Sequence, residues 1–337
     1  MNAPPVRFGI LGLAHLHVFG MTGLLREAGA ELVAFHGDAP MMEGFGKLFP
    51  DARAVSDPRA ILEDDSIALV LCADVPDRRA ATGVEVLRHG KDLFVDKPAA
   101  VTRAELARLR AAREETGRLC AIFYSERLTS RATLRALELV RAGAIGEVVE
   151  TVGLGPHQLG LTARPEWFFD PARSGGILGD LASHQMDQFL AFTDSREAEV
   201  VAAQVANRAH PDRPGFEDYG SALVRGDRGT GYARVDWYTP DGLGTWGDVR
   251  LVVLGTEGTI EVRKNVDPAG RPGGDHLILV DAKETRHVDC SRDPLDFGRR
   301  LLADVVERTE TALPQARAFQ AQDLALAAQE RAQAARA

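Results

Sequence analysis

Apolar and polar positions along the chain follow two regimes. In the first, short apolar runs alternate with stretches whose apolar residues recur every three or four positions. Residues 6–13, 31–35, 67–73, 92–96 and 119–124 read as buried strands, and 15–27, 41–48, 77–89 and 102–116 as helices. Thr102 stands at an N-cap with Glu105 at the capping-box position. Strands and helices alternating with short connections predict an open parallel sheet covered by helices on both faces.

The regime changes near Gly143-Ala144-Ile145-Gly146. From residue 147 the pattern predicts one strand, then a helical stretch opened by Gly175-Gly176 and running to about residue 192. Strands follow at 198–206, 221–225, 231–237, 249–254, 259–263 and 277–280. The turns between them are rich in Gly, Pro and Asp, as in Gly226-Asp227-Arg228-Gly229, which suits antiparallel neighbours. Helices at 293–308 and 316–331 close the chain. The expected fold class is α/β. A Rossmann-type domain over residues 1–124 precedes an α/β domain over 125–337, built on a large, mostly antiparallel open sheet. The terminal helices are placed to pack back on the first domain.

Composition narrows the function classes. At 337 residues the chain is long enough for two cores. A net charge of −9 disfavours a general nucleic-acid or membrane-surface binder, because phosphate binding needs clustered Lys and Arg. Cys72, Cys120 and Cys290 are scattered and odd in number, which fits a reducing compartment, so a cytoplasmic location is expected. No apolar run reaches the length of a membrane span, and the first five residues carry no apolar signal core.

Three constellations carry candidate chemistry. The first strand ends in Gly12-Leu13-Ala14-His15-Leu16-His17. A dinucleotide fingerprint reads Gly-x-Gly-x-x-Gly at such a turn. Gly12 meets its first position, while Ala14 and His17 replace the second and third glycines. The helix N-terminus behind the turn still offers backbone N–H groups to phosphate. Asp38, just past the second strand, is placed to bind a ribose hydroxyl; no Arg adjoins it, so NAD is favoured and NADP left open. His15 and His17 also form a pair of imidazoles, but without a Cys or carboxylate beside them no metal site is expected.

The second constellation is Asp96-Lys97-Pro98, after the strand at 92–96, at the carboxyl end where ligands of such sheets bind. Lys97 there can donate a hydrogen bond to a substrate oxygen. The third is Asp180 and His184, four apart and so one turn apart on a single helix face, with Asp187 three further on. A carboxylate beside an imidazole is a plausible acid–base pair. Tyr124, Arg127, His157, Arg164 and Trp167 supply aromatic planes and donors suited to a polyhydroxylated substrate, and Arg164 also suits a carboxylate.

In this order, the Rossmann turn, Asp96-Lys97-Pro98, Gly143-Ala144-Ile145-Gly146-Glu147-Val148 and Gly175-Gly176…Asp180…His184…Asp187 resemble the Gfo/Idh/MocA oxidoreductases over most of the chain. Asp96 stands where the family usually has Glu. The resemblance implies a nicotinamide cofactor held by Gly12, Ala14, His15, Leu16, Asp38, Asp96, Lys97 and Pro98. It implies a catalytic trio of Lys97, Asp180 and His184. It implies hydride transfer to or from a secondary alcohol of a sugar, polyol or sugar acid, contacted by Tyr124, Arg127, His157, Arg164, Trp167 and Asp187. A homodimer or homotetramer formed through the C-terminal sheet is the expected assembly. NAD-assisted glycoside cleavage, or a non-catalytic sensor on the same fold, are the alternatives.

Overall fold

The computed structural model describes residues 4–160 and 164–336. Residues 1–3, part of the segment read above as free of a signal core, lie outside them. The chain divides into two compact units, one of residues 1–123 and 296–319, the other of residues 124–295 and 320–337.

The first unit alternates strand and helix: β1 (Arg7–Leu11), α1 (His17–Glu27), β2 (Glu31–His36), α2 (Ala39–Leu48), β3 (Arg53–Ala54), α3 (Arg59–Leu62), β4 (Leu69–Cys72), α4 (Pro76–Arg88), β5 (Asp92–Asp96), α5 (Arg103–Thr116) and β6 (Cys120–Phe123). The strands form one parallel sheet in the order β3-β2-β1-β4-β5-β6, the doubly wound order of dinucleotide-binding folds. β4 and β5 are buried at every residue, because helices cover both faces. The predicted cap of α5 forms: Thr102 accepts from the Glu105 N–H, and the Glu105 carboxylate accepts from the Thr102 N–H. Helix α11 (Phe297–Glu307) joins this unit through Phe297, whose ring lies 5.9 Å from those of Phe94 and Phe123. Arg308 adds a bidentate pair with Asp92 at 2.6 and 2.9 Å.

The second unit opens with α6 (Ser125–Leu128) and α7 (Arg131–Arg141), followed by β7 (Val148–Pro156), α8 (Pro171–Ser174), α9 (Gly176–Asp180) and α10 (Ser183–Thr193). Then come β8 (Ala198–Ala206), β9 (Tyr219–Gly226), β10 (Thr230–Asp236), β11 (Arg250–Gly255), β12 (Gly258–Arg263), β13 (His276–Asp281) and β14 (Thr285–Asp289). α12 (Gln315–Ala334) ends the chain. The eight strands order as β14-β13-β12-β11-β7-β10-β9-β8, and every neighbouring pair is antiparallel except β10 with β7.

One face of this sheet packs on α7 and α10 through Ala136, Phe192, Leu251, Val253, Ile260 and Leu277, all buried. α10 is buried at every residue. It lies so close to β7 that a Cβ on Gly153 would stand 2.5 Å from Gln185 Cγ, and one on Gly155 would stand 3.0 Å from Gln185 Nε2. The other face carries a cross-strand row of Ile278, Glu261, Val252, Val152, Tyr232 and Leu223, none of them buried.

Candidate active site

In the first unit the site is built around the turn after β1. Gly12 adopts φ +88°, and a Cβ there would stand 2.3 Å from Asp74 Cβ. Only glycine combines that backbone with that approach. The Gly12 N–H donates to His36 O, the Ala73 N–H to Gly12 O, and the His15 N–H to Ala73 O, so the turn is stitched to β2 and to the end of β4. It therefore sits at the point where strand order reverses, where ligands of such sheets bind. Among the described residues, no protein acceptor meets the N–H groups of Ala14 and Leu16. Both are available to a phosphate, and Leu16 is 68% exposed beside them. The turn residues present thus fit a dinucleotide despite Ala14 and His17.

His17 points at Asp96. Its Nδ1 lies 2.9 Å from Asp96 Oδ1, and His15 Nδ1 lies 3.2 Å from Asp96 Oδ2. The carboxylate expected from sequence to be missing beside the two imidazoles is supplied from β5, and this corrects that reading: His15, His17 and Asp96 place three potential ligand atoms within 4.8 Å of one another. Arg79, fully buried, brings Nη2 to 3.1 Å from Asp96 Oδ2. Its Nε donates to Asp74 O and its Nη1 to Lys97 O and Pro98 O. Burial alone would raise the Asp96 carboxyl, but His17 and then Arg79 offset it and hold the group far below the usual carboxylate range. Burial, followed by His17, pushes the His15 imidazole well below its ordinary value, so it is neutral near pH 7. Lys97 is buried at the end of β5, and the peptide bond to Pro98 is cis.

Asp38, expected to bind a ribose hydroxyl, is exposed. Sequence reasoning finds no Arg beside it, and the fold supplies one: Arg78, from α4, brings Nη1 to 4.0 Å from Asp38 Oδ2.

In the second unit, the single helix expected from Gly175 to residue 192 is two helices. Gly175 and Gly176 both take positive φ, at 90° and 70°, and start α9. The first N–H groups of α9 are buried and satisfied, Ile177 donating to Glu217 and Leu178 to Gln329, each at 2.9 Å. α9 ends at Asp180, and the His184 N–H bonds back to Leu181 O, an i→i−3 turn that separates it from α10. Asp180 is thus the last residue of one helix and His184 belongs to the next. The expectation of one continuous helix face does not hold.

Asp180 lines a concavity with Phe168, Ile177, Phe216, Glu217 and Trp237. Arg164 lies over the rings of Phe168, at 4.5 Å, and Trp237, at 5.1 Å. Burial lowers the Arg164 guanidinium below its ordinary value, and the Asp180 carboxylate opposes that shift. His157 sits between Trp246, at 4.6 Å, and Trp237, at 5.5 Å. The His184 ring meets Tyr124 edge-on at 6.1 Å, and both residues are buried. Trp167 is half-buried against Phe168.

Asp187 and Arg127, both expected to bind substrate, bind each other. Arg127 Nε and Nη2 donate to the two Asp187 oxygens at 2.6 and 2.7 Å, and both side chains are buried. Sequence reasoning missed Trp237, Trp246 and Lys264. Lys264 Nζ lies 5.5 Å over the Trp246 ring, and burial lowers its ammonium below the ordinary lysine value. These three lie at or beyond strand ends that share no spacing with the motifs, so no local signal pointed to them.

A model of the GFO/IDH/MocA C-terminal domain matches residues 133–261. A crystal structure from Erwinia carotovora atroseptica SCRI1043, classed provisionally as an oxidoreductase, is 42% identical; it covers 97% of this chain and 98% of its own, with a TM-score of 0.94. The chain belongs to the Gfo/Idh/MocA family of oxidoreductases. Among curated members, scyllo-inositol 2-dehydrogenase (NAD(+)) of Bacillus subtilis (strain 168) is 27% identical over 287 residues, 82% of this chain and 78% of that protein. Levoglucosan dehydrogenase, solved in complex with NADH and levoglucosan, shares the fold at a TM-score of 0.83 and 17% identity, covering 98% of each chain.

Proposed function

We propose that this Gfo/Idh/MocA member is an NAD-dependent dehydrogenase or reductase acting on a secondary alcohol of a sugar, polyol or sugar acid. The observation that carries the reading is the Gly12 turn, held against Asp74 at the point where strand order reverses, with the Ala14 and Leu16 N–H groups unclaimed by any acceptor among the described residues. The nicotinamide, when bound, supplies the hydride acceptor or donor. His184 exchanges the substrate hydroxyl proton at Nε2, since its Nδ1 is buried. Lys97 hydrogen-bonds the reacting oxygen through Nζ and offsets its developing negative charge. Asp180 binds a substrate hydroxyl and, with Arg164, sets the polarity of a pocket walled by Phe168 and Trp237. Arg164 beside an aromatic wall makes sugar acids a fitting subset. The half-exposed outer row on the eight-stranded sheet, from Ile278 to Leu223, supports assembly of copies through that face.

Calorimetric titration with NAD, NADH, NADP and NADPH, followed by a panel of inositols and sugar acids, tests the proposal. Binding of NADH and turnover of at least one polyol or sugar acid are expected. With that substrate, Lys97→Met and His184→Ala each lower kcat by about 100-fold or more. Failure to bind any of the four nucleotides, or near wild-type turnover in either variant, overturns it.

A further inference from the structure

The two imidazoles and the carboxylate beside the Gly12 turn have an arrangement that nucleotide binding does not require. His15 Nδ1 accepts the His17 backbone N–H at 3.3 Å, so that nitrogen presents a lone pair. The same nitrogen faces Asp96 Oδ2 at 3.2 Å. Oδ2 is fully buried and receives no aligned hydrogen bond, although Arg79 Nη2 lies 3.1 Å away. Two electron-rich atoms this close in a buried site need a shared proton or cationic charge beside them; Arg79 supplies part of that charge, and a metal ion would supply the rest. His17 Nδ1 adds a third donor on the other carboxylate oxygen, at 2.9 Å.

We propose that His15, His17 and Asp96 form a binding site for a divalent first-row transition ion such as Zn²⁺. Imidazole nitrogen and carboxylate oxygen are the donors such ions take. Metal–ligand bonds of about 2.0–2.1 Å set tetrahedral donors about 3.3 Å apart, and each imidazole nitrogen lies near that distance from one oxygen of Asp96, His15 Nδ1 at 3.2 Å from Oδ2 and His17 Nδ1 at 2.9 Å from Oδ1. Arg79 anchors the carboxylate from behind, its Nε and Nη1 committed to the carbonyls of Asp74, Lys97 and Pro98. Three protein donors leave a coordination position open to water or to an anionic oxygen. The positive charge of Arg79 and of the ion together favours an anion there. The donors come from β5 and from the turn and first helical residue after β1, so the site is complete within one unit.

The test needs no nucleotide, so its outcome is separate from that of the dehydrogenase reading. Metal-stripped full-length protein is titrated calorimetrically with Zn²⁺ alone, alongside His17→Gln and the exposed control His89→Gln. One equivalent is expected to bind wild type and His89→Gln alike, and at least tenfold more weakly to His17→Gln. No stoichiometric Zn²⁺ uptake by wild type overturns the proposal, as does equal affinity in His17→Gln. If His17→Gln does not fold, X-ray absorption on Zn²⁺-loaded wild type decides: two imidazole nitrogens near 2.0–2.1 Å support the site, and their absence overturns it.

Discussion

The Arg127–Asp187 pair offers the most direct check on how the second unit is held together. Asp187→Asn keeps the shape of the side chain and removes its charge, which leaves the Arg127 guanidinium buried without a counter-ion. The two groups are 8% and 0% exposed and joined by two hydrogen bonds at 2.6 and 2.7 Å. Unit charges about 4 Å apart at an effective dielectric near 20 attract by about 4 kcal/mol. Breaking a buried pair by removing one partner typically costs about 3–5 kcal/mol. At about 2–4 °C per kcal/mol for a unit of this size, the unfolding midpoint should fall by about 10 °C. Differential scanning calorimetry resolves a shift of this size, and both residues belong to the second unit. The double variant Arg127→Met/Asp187→Leu removes both charges and should recover most of the loss. An Asp187→Asn midpoint within about 2 °C of wild type would refute the reasoning, since it would mean that water already solvates the guanidinium.

Three further outcomes follow from the first unit. Gly12→Ala meets Asp74 and a positive φ together; it should cost about 1–3 kcal/mol in chemical denaturation and weaken NADH binding in calorimetry, and an unchanged denaturation midpoint would contradict the close approach. Arg78→Ala removes a cation 4.0 Å from Asp38 and should weaken NADP binding more than NAD binding; equal effects would show that Arg78 does not meet the 2′-phosphate. Asp304 is raised by burial but lowered more by hydrogen bonds from Thr309, Ala312 and Thr311, so its carboxyl lies below the ordinary value when folded. Its stabilising contribution is therefore complete above about pH 4 and is lost as pH falls through the folded pKa. Asp304→Asn should lower stability by about 1–3 kcal/mol at pH 7 and flatten the acid limb of a stability–pH curve, and an unchanged limb would count against this.

The parallel sheet was legible because its strands are continuous apolar runs, buried on both faces. Where that signal is absent, prediction failed: β3 and β14 are short and mostly exposed, so no apolar alternation marks them. Helix α7 was also missed, although Ser130 caps it by accepting from the Thr133 N–H and it buries Ala132, Ala136 and Leu137. The motif residues were legible as a set, but their surroundings were not. Asp96 is 79 positions from His17, so no local spacing announces their contact. The same holds for Arg78 beside Asp38, and for Asp187, whose helical spacing from His184 suggested a shared task while its partner lay on α6. Spacing along a helix identifies which side chains can share a face; it says nothing about what occupies that face.

Gln185 lies over the backbone of β7 at Gly153 and Gly155, and its Nε2 donates to Glu126 at 2.8 Å. The amide therefore fills the volume that side chains on those two strand positions would need. Neither side of this contact can change alone: a methyl at 153 has nowhere to go while the glutamine remains, and a smaller residue at 185 takes its amide away from the Glu126 carboxylate and opens a gap above the strand. In divergent descendants these four positions should be inherited as a block, and a lineage that acquires alanine at 153 should also carry a shortened residue at 185.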